Sequence, residues 1–174
     1  MEINKYCSVC FSGYRPEKFP FSLEDKESDV YKNFHKKINE SIIEALRMGY
    51  NTFFCGMAKG FDLLCGKAVL DICRKIKYNH IQLIAVLPFA NHGFSGDWGR
   101  LHRLVRHYAK HEIIIAPNGY TRNCYYLRNR FMVENSTCMI CYWDGQEGGT
   151  AQAVRMAIES EHILRNLGKL TKGT

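Results

Sequence analysis

Residues 142–157 read YWDGQEGGTAQAVRMA. The segment leaves a greasy run at Tyr142 and Trp143, meets Asp144, passes Gly148, Gly149 and Thr150, and continues with helical periodicity. An apolar strand that hands over to an amphipathic helix is the repeating unit of an α/β protein. One glycine suffices for a turn. Two glycines followed by a hydroxyl leave backbone N–H groups bare at a helix start, where an anion can approach. Thr150 reads as the helix cap and as a hydroxyl donor.

The same alternation extends outward from this stretch. Short, partly β-branched apolar runs at Tyr6–Phe11, Thr52–Cys55, Ile81–Leu87, Glu112–Ala116 and Thr137–Trp143 read as strands covered on both faces. Segments of helical period lie between and after them: Asp29–Met48, Asp62–Lys77, Asp97–Lys110, Arg122–Asn135 and Thr150–Leu167. In the first of these, Val30, Phe34, Ile38, Ile42, Ala45 and Leu46 fall on one side. The expected fold is α/β: a single-domain, Rossmann-like, doubly wound and mostly parallel sheet with helices on both faces. It spans residues 1–168, and 169–174 read as a flexible tail.

The totals narrow the class. The chain has 174 residues, 46% hydrophobic and 24% charged, which suits one folded domain. No basic segment precedes an apolar stretch at the start, and no apolar run approaches the roughly 20 residues that span a bilayer. A cytoplasmic protein with no membrane partner is expected. Of the eight cysteines, two pairs have CxxC spacing, Cys7 with Cys10 and Cys138 with Cys141. Both pairs fall in strand-like segments, where residues three apart point to opposite faces, so neither pair closes on a metal. They read as reduced thiols used as small core residues, and no metal site is expected. The net charge of +7 and pI near 9.0 fit an anionic partner.

In an open parallel sheet ligands bind beyond the carboxyl ends of the strands, so the loops there carry the functional signal. After the first strand, Gly13, Tyr14, Arg15 and Pro16 give a sharp turn with a planar donor fork. After the second, Gly56, Met57, Ala58 and Gly60 open directly into a helix whose amides can hold phosphate. Asp62 there reads either as the helix cap or as a ribose contact. The loop matches neither GxGxxG nor the Walker pattern, so no standard cofactor is specified. Arg128, with Asn129 beside it, is placed to hold a phosphate by two parallel hydrogen bonds, so Arg128→Ala should weaken binding with little loss of stability. With Gly148, Gly149 and Thr150, three glycine-bearing loops point to a phosphate-binding cleft.

Elsewhere, Arg100, Arg103, Arg106, His107 and Lys110 form a basic stripe, with Leu101, Leu104, Val105 and Tyr108 on the opposite side of the helix. The stripe offers a nucleic-acid surface as an alternative.

The stretches SGYRP, CGMAKGFD, YYLRNRFMVENS and DGQEGGTAQAV, in this order, resemble the SLOG superfamily of Rossmann-like proteins, and most of all its YpsA-like group of small bacterial proteins. That superfamily includes LOG phosphoribohydrolases and the DNA-processing protein DprA. The resemblance implies a nucleotide-like ligand held by the loops around Gly13, Gly56 and Gly149, with Arg128 near the phosphate. Rossmann-like proteins often pair, so a homo-oligomer is open. The glutamate of the LOG pattern is absent, because Ala153 stands in its place. The expected function is therefore nucleotide binding or sensing. A nucleotide N-glycosidic hydrolase using Asp62, Asp144 or Glu147 is the alternative, and a single-stranded nucleic-acid module a further one.

Overall fold

In the computed structural model, residues 2–76 and 80–168 are described. The expected helix end at Lys77 and the tail 169–174 lie outside them. Strand β1 is Ser8–Gly13 and helix α1 is Asp29–Arg47. They are followed by β2 at Thr52–Cys55, α2 at Phe61–Ile76, β3 at Gln82–Phe89 and α3 at Gly96–Tyr108. The chain continues through β4 at His111–Ala116, α4 at Cys124–Glu134, β5 at Cys138–Tyr142, α5 at Gly149–Glu159 and β6 at Ile163–Asn166.

The six strands form one sheet in the order β4-β3-β2-β1-β5-β6, with every pairing parallel. The architecture is the α/β Rossmann-like one expected from the alternation. Successive strands step away from β1 until β4, and then the chain returns to lay β5 on the other side of β1. Right-handed crossovers in both directions put α1, α2 and α3 on one face and α4 and α5 on the other.

Strand alternation divides the apolar side chains between these two layers. On β1, Val9 and Phe11 join the cluster with α1 and α2, while Cys10 joins the cluster with α4 and α5. On β5, Cys138, Ile140 and Tyr142 face the first layer, and Met139 and Cys141 the second. The Cys138–Cys141 pair therefore straddles the sheet, as its spacing implies. All eight cysteines are free thiols. Burial pushes the thiols of Cys10 and Cys141 up to about 12, which leaves them protonated and unreactive.

Four details depart from the sequence reading. Lys5–Cys7 is a 3₁₀ turn rather than strand, held where the Asn4 side chain accepts the Tyr6 N–H at 3.1 Å. Cys7 consequently lies outside β1. On α1 the inward set includes Tyr31, whereas Val30 is 55% exposed. On α3, Leu104 and Tyr108 face solvent, and the buried side consists of Gly99, His102 and Val105.

The largest departure is the last helix. It ends at Glu159, eight residues before the expected Leu167, and the chain turns into β6 beside β5. The turn requires Glu161 to adopt a left-handed φ of 56°. Asn166 anchors the new strand by donating to the Trp143 carbonyl at 2.8 Å and accepting the Trp143 N–H at 3.0 Å. Arg165 reaches across to the Glu44 carboxylate, Nη1 to Oε2 at 2.6 Å. The apolar spacing of Ile163 and Leu164 suits either element, and pairing with β5 decides it. Among the described residues, no helix is long and apolar enough to cross a membrane.

A non-glycine residue in the left-handed region costs about 1–2 kcal/mol. Glu161→Gly should therefore stabilise the protein by roughly 1 kcal/mol in urea denaturation. A continuous helix through this point would instead be weakened by the same change.

Candidate functional site

The reversal of strand order leaves a gap at the carboxyl ends of β1 and β5, because the chain leaves β1 towards one face and β5 towards the other. A cleft of about 350 Å³ opens there. Of the sequence-derived candidates, Gly13, Tyr14, Arg15, Ala58, Asp62, Arg128, Asn129, Gly148, Gly149 and Thr150 line it. Gly56, Met57 and Gly60 do not.

The β1 end packs tightly. A Cβ at Gly13 would collide with the Phe61 ring, so this glycine brings α2 against the strand. Tyr14 is 3% exposed and hydrogen-bonds the Asp144 carboxylate, which keeps that carboxyl below its ordinary range. Arg15 is exposed, and Pro16–Lys18 forms a 3₁₀ turn that returns Lys18 to the cleft with its Nζ 5.7 Å from the Tyr14 ring centre.

At the β2 end, the glycines expected in a phosphate loop meet the protein's own groups. Gly60 has φ +89°, and a Cβ there would sit 2.5 Å from the Tyr14 carbonyl, which itself accepts the Phe61 N–H at 3.1 Å. Gly60 is thus the joint between two loops. Met57 is fully buried at a left-handed φ of 59°. A Cβ at Gly56 would lie 2.6 Å from Asp62 Oδ2, so its missing side chain makes room for the protein's own carboxylate.

Asp62 is the second residue of α2, not its cap, and is 3% exposed. The backbone N–H groups of Ala58 and Gly13 lie beside its carboxylate and favour the ionised form. These are amides that the sequence reading reserved for phosphate. Burial raises the Asp62 carboxyl to about 6, against the opposing pull of Arg128 and those N–H groups.

Arg128 is more deeply engaged than the sequence suggests, at 7% exposed. Its Nη1 donates to the Gly56 carbonyl at 2.6 Å, and its Nε and Nη2 donate to Asn129 Oδ1 at 3.2 and 2.8 Å. Three of five guanidinium N–H donors are spent on the protein, leaving two for an occupant of the cleft. Arg128→Ala would orphan the buried Gly56 carbonyl, at about 1–3 kcal/mol, so the expectation of unchanged stability does not survive. Asn129 ties α4 to α5 by donating to the Gly149 carbonyl at 3.4 Å.

The start of α5 is the most open part. Gly148 is its cap residue, with φ 145° and ψ −168°, a conformation only glycine adopts readily. It has no side chain to cover the first-turn amides. A Cβ at Gly149 would meet nothing within 4 Å. Thr150 is the second helical residue rather than the cap, and it lines the same cleft. Lys18 Nζ lies 3.5 Å from where a Gly148 Cβ would be, so a cation accompanies the helix dipole.

The other acids are differently employed. Glu147 lines the cleft and pairs with Arg155, while Asp144 is bonded to Tyr14 and to the Gln146 N–H at 3.1 Å. Ala153, where the LOG pattern has glutamate, is packed against the sheet with Val154 and Ala157. The basic stripe on α3 lies away from the cleft and is partly neutralised, Arg100 by Asp97 and Arg106 by Glu112, the latter with Nη2–Oε1 at 2.8 Å. No metal-binding cluster of three or more His, Cys, Asp or Glu exists among the described residues.

Ser12, Glu17, Lys18 and Tyr125 complete the lining and were not singled out by sequence. Tyr125 was legible in principle, since it lies one helical turn before Arg128 and Asn129.

A sequence profile described as the YspA SLOG family matches residues 9–166. The chain belongs to that family. No curated protein matches it significantly. Among solved structures, it is similar to DNA processing protein A (DprA) from Streptococcus pneumoniae, with TM-score 0.61 and 18% identity over 93% of this chain and 50% of that one. It is also similar to DNA processing protein A from Helicobacter pylori, whose structure was described for its single-stranded DNA binding mode. There the TM-score is 0.62 and identity 14%, over 93% of this chain and 65% of that one. At these identities the likeness concerns the fold. The chain spans less than two thirds of either DprA.

Two glycines should separate scaffold from ligand. Gly60→Ala should destabilise the fold by about 1–3 kcal/mol, because it combines a strained φ with a backbone clash. Gly149→Val should leave the melting temperature within a few degrees of wild type while filling the cleft. Calorimetric melting of the two variants checks the contrast.

Proposed function

We propose that this protein binds a nucleotide or nucleotide derivative by its phosphate at the β1–β5 cleft. The observation that carries this reading is the convergence of an uncapped helix start, Gly148–Thr150, with Arg15, Lys18 and Arg128 around one concave space. Backbone amides and the α5 dipole favour an anion there, and the three cations add positive charge. Asp62 sits too deep and too negative to welcome phosphate. It suits the acceptor side of a ribose hydroxyl contact. The reading assumes a cytoplasmic setting, where the free thiols persist reduced.

Thermal shift with AMP, ADP, ADP-ribose and NAD tests it. A ligand at 100 times its dissociation constant should add about 2.7 kcal/mol of stability. That response should vanish in Gly149→Val. A folded protein that responds to none of these, nor to a 5′-phosphorylated oligonucleotide, would not be a nucleotide binder. The oligonucleotide belongs in the panel because a DprA of the same fold was described with single-stranded DNA.

A second reading rests on Asp62. A buried cleft carboxyl held near 6 carries a proton in a useful fraction of molecules at neutral pH, as a general acid for N-glycosidic cleavage must. Release of free base from nucleoside monophosphates, lost in Asp62→Asn, would establish it.

The same residue gives a pH prediction. The folded-state value of about 6 lies above the ordinary 3.8, so the fold resists the ionised form. Its contribution is unfavourable above pH 6, and the penalty disappears as pH falls towards 4. Asp62→Asn should flatten this part of the stability profile in urea denaturation. It should also tighten sulfate binding more at pH 8 than at pH 5, while loosening nucleotide relative to sulfate if Asp62 accepts from ribose.

A further inference from the structure

Arg15 is an exposed arginine on the loop after β1, and among the described residues no carboxylate lies within ion-pair distance of it. Its guanidinium lies 5.9 Å from the centre of the Tyr125 ring. The Arg128 guanidinium, on α4, lies 5.6 Å from the same centre. One phenol ring thus gathers two cations that repel each other, and it does so on the cleft wall. The ring is itself fixed, with Phe89 edge-on at 6.2 Å and 89° and His92 at 6.1 Å and 75°. Both contacts come from the end of β3 and the loop beyond it.

A guanidinium held over an aromatic face keeps its N–H edge free for hydrogen bonding. The open edge of Arg15, together with the two N–H donors that Arg128 keeps after bonding Gly56 and Asn129, suits an acceptor with more than two oxygens and more than one charge. A carboxylate has two oxygens and one charge, and one arginine satisfies it. A phosphodiester likewise has two unesterified oxygens and one charge. A terminal phosphate monoester has three oxygens and carries about −1.5 to −2 charge at neutral pH. Its three oxygens offer acceptors for the Arg15 fork and for the two donors left on Arg128.

We propose that Tyr125 is a positioning residue, whose ring seats Arg15 and Arg128 as a pair that selects a terminal phosphate monoester over a phosphodiester. This deepens the phosphate-cleft reading and rests on it. Tyr125 acts through the arginines, so its ring matters and its hydroxyl does not.

The test is titration calorimetry at pH 8 with the four common nucleoside 5′-monophosphates and their 3′,5′-cyclic counterparts, on wild type, Tyr125→Phe and Tyr125→Leu. Wild type should bind at least one monoester on the order of 10-fold tighter than its cyclic diester. Tyr125→Phe should keep that ratio. Tyr125→Leu should lower monoester affinity about 5- to 10-fold and erase most of the discrimination. On an Arg15→Ala background the Tyr125→Leu change should have a distinctly smaller effect, because part of what it positions is already gone. A role in folding alone would move melting temperature without changing the monoester-to-diester ratio, and that result overturns the proposal. So does a wild-type protein that binds the diester as well as the monoester, although the phosphate cleft itself then stands. If wild type binds neither, the cleft reading falls together with this one.

Discussion

The reversal of strand order at β1 is the constraint on which the site depends. Right-handed crossovers carry the chain outward from β1 to β4 on one face, and the return to β5 obliges the later helices onto the other. Adjacent strands whose connections depart to opposite faces cannot close the space above them. The cleft is the geometric residue of that topology, and stretches at β1, α2, α4 and α5 that lie far apart in sequence meet there.

Within the cleft, one charge shapes the rest. Asp62 is buried in the cleft lining, has the backbone N–H groups of Ala58 and of Gly13 at the end of β1 beside it, and has Arg128 nearby as a partial counter-charge. On the proposed reading, a carboxylate there sets an inner part of the cleft that resists anions apart from an outer part, beside the α5 start and Arg15, that favours them. This division explains why the two sets of glycines do different work. Those at 56 and 60 let loops and side chains of the protein approach one another, whereas those at 148 and 149 leave amides open.

Much of this was legible without coordinates. Alternating apolar runs and helical segments fix a parallel α/β sheet, because doubly covered strands and crossover helices leave that pattern. The placement of ten of the proposed site residues on one cleft also follows, since ligand loops in such sheets share one edge. What failed to follow has a common cause. Ile163 and Leu164 have spacing that serves helix or strand, and only the free edge of β5 made them strand. Tyr125 looked like another aromatic on a helix until Arg15 and Arg128 came to its ring.

The sequence alone determined the periodicity, the glycine positions and the chemical types available at each strand end, because these are local properties of the chain. Which donors stay free was decided only by the tertiary structure. Arg128 spends an N–H on the carbonyl of Gly56, a residue 72 positions away, and Asp62 draws on the amide of Gly13 at the end of β1. Hydrogen-bonding capacity is shared out among groups that meet through folding, so a residue's type fixes what it can offer and its neighbours in space fix what remains.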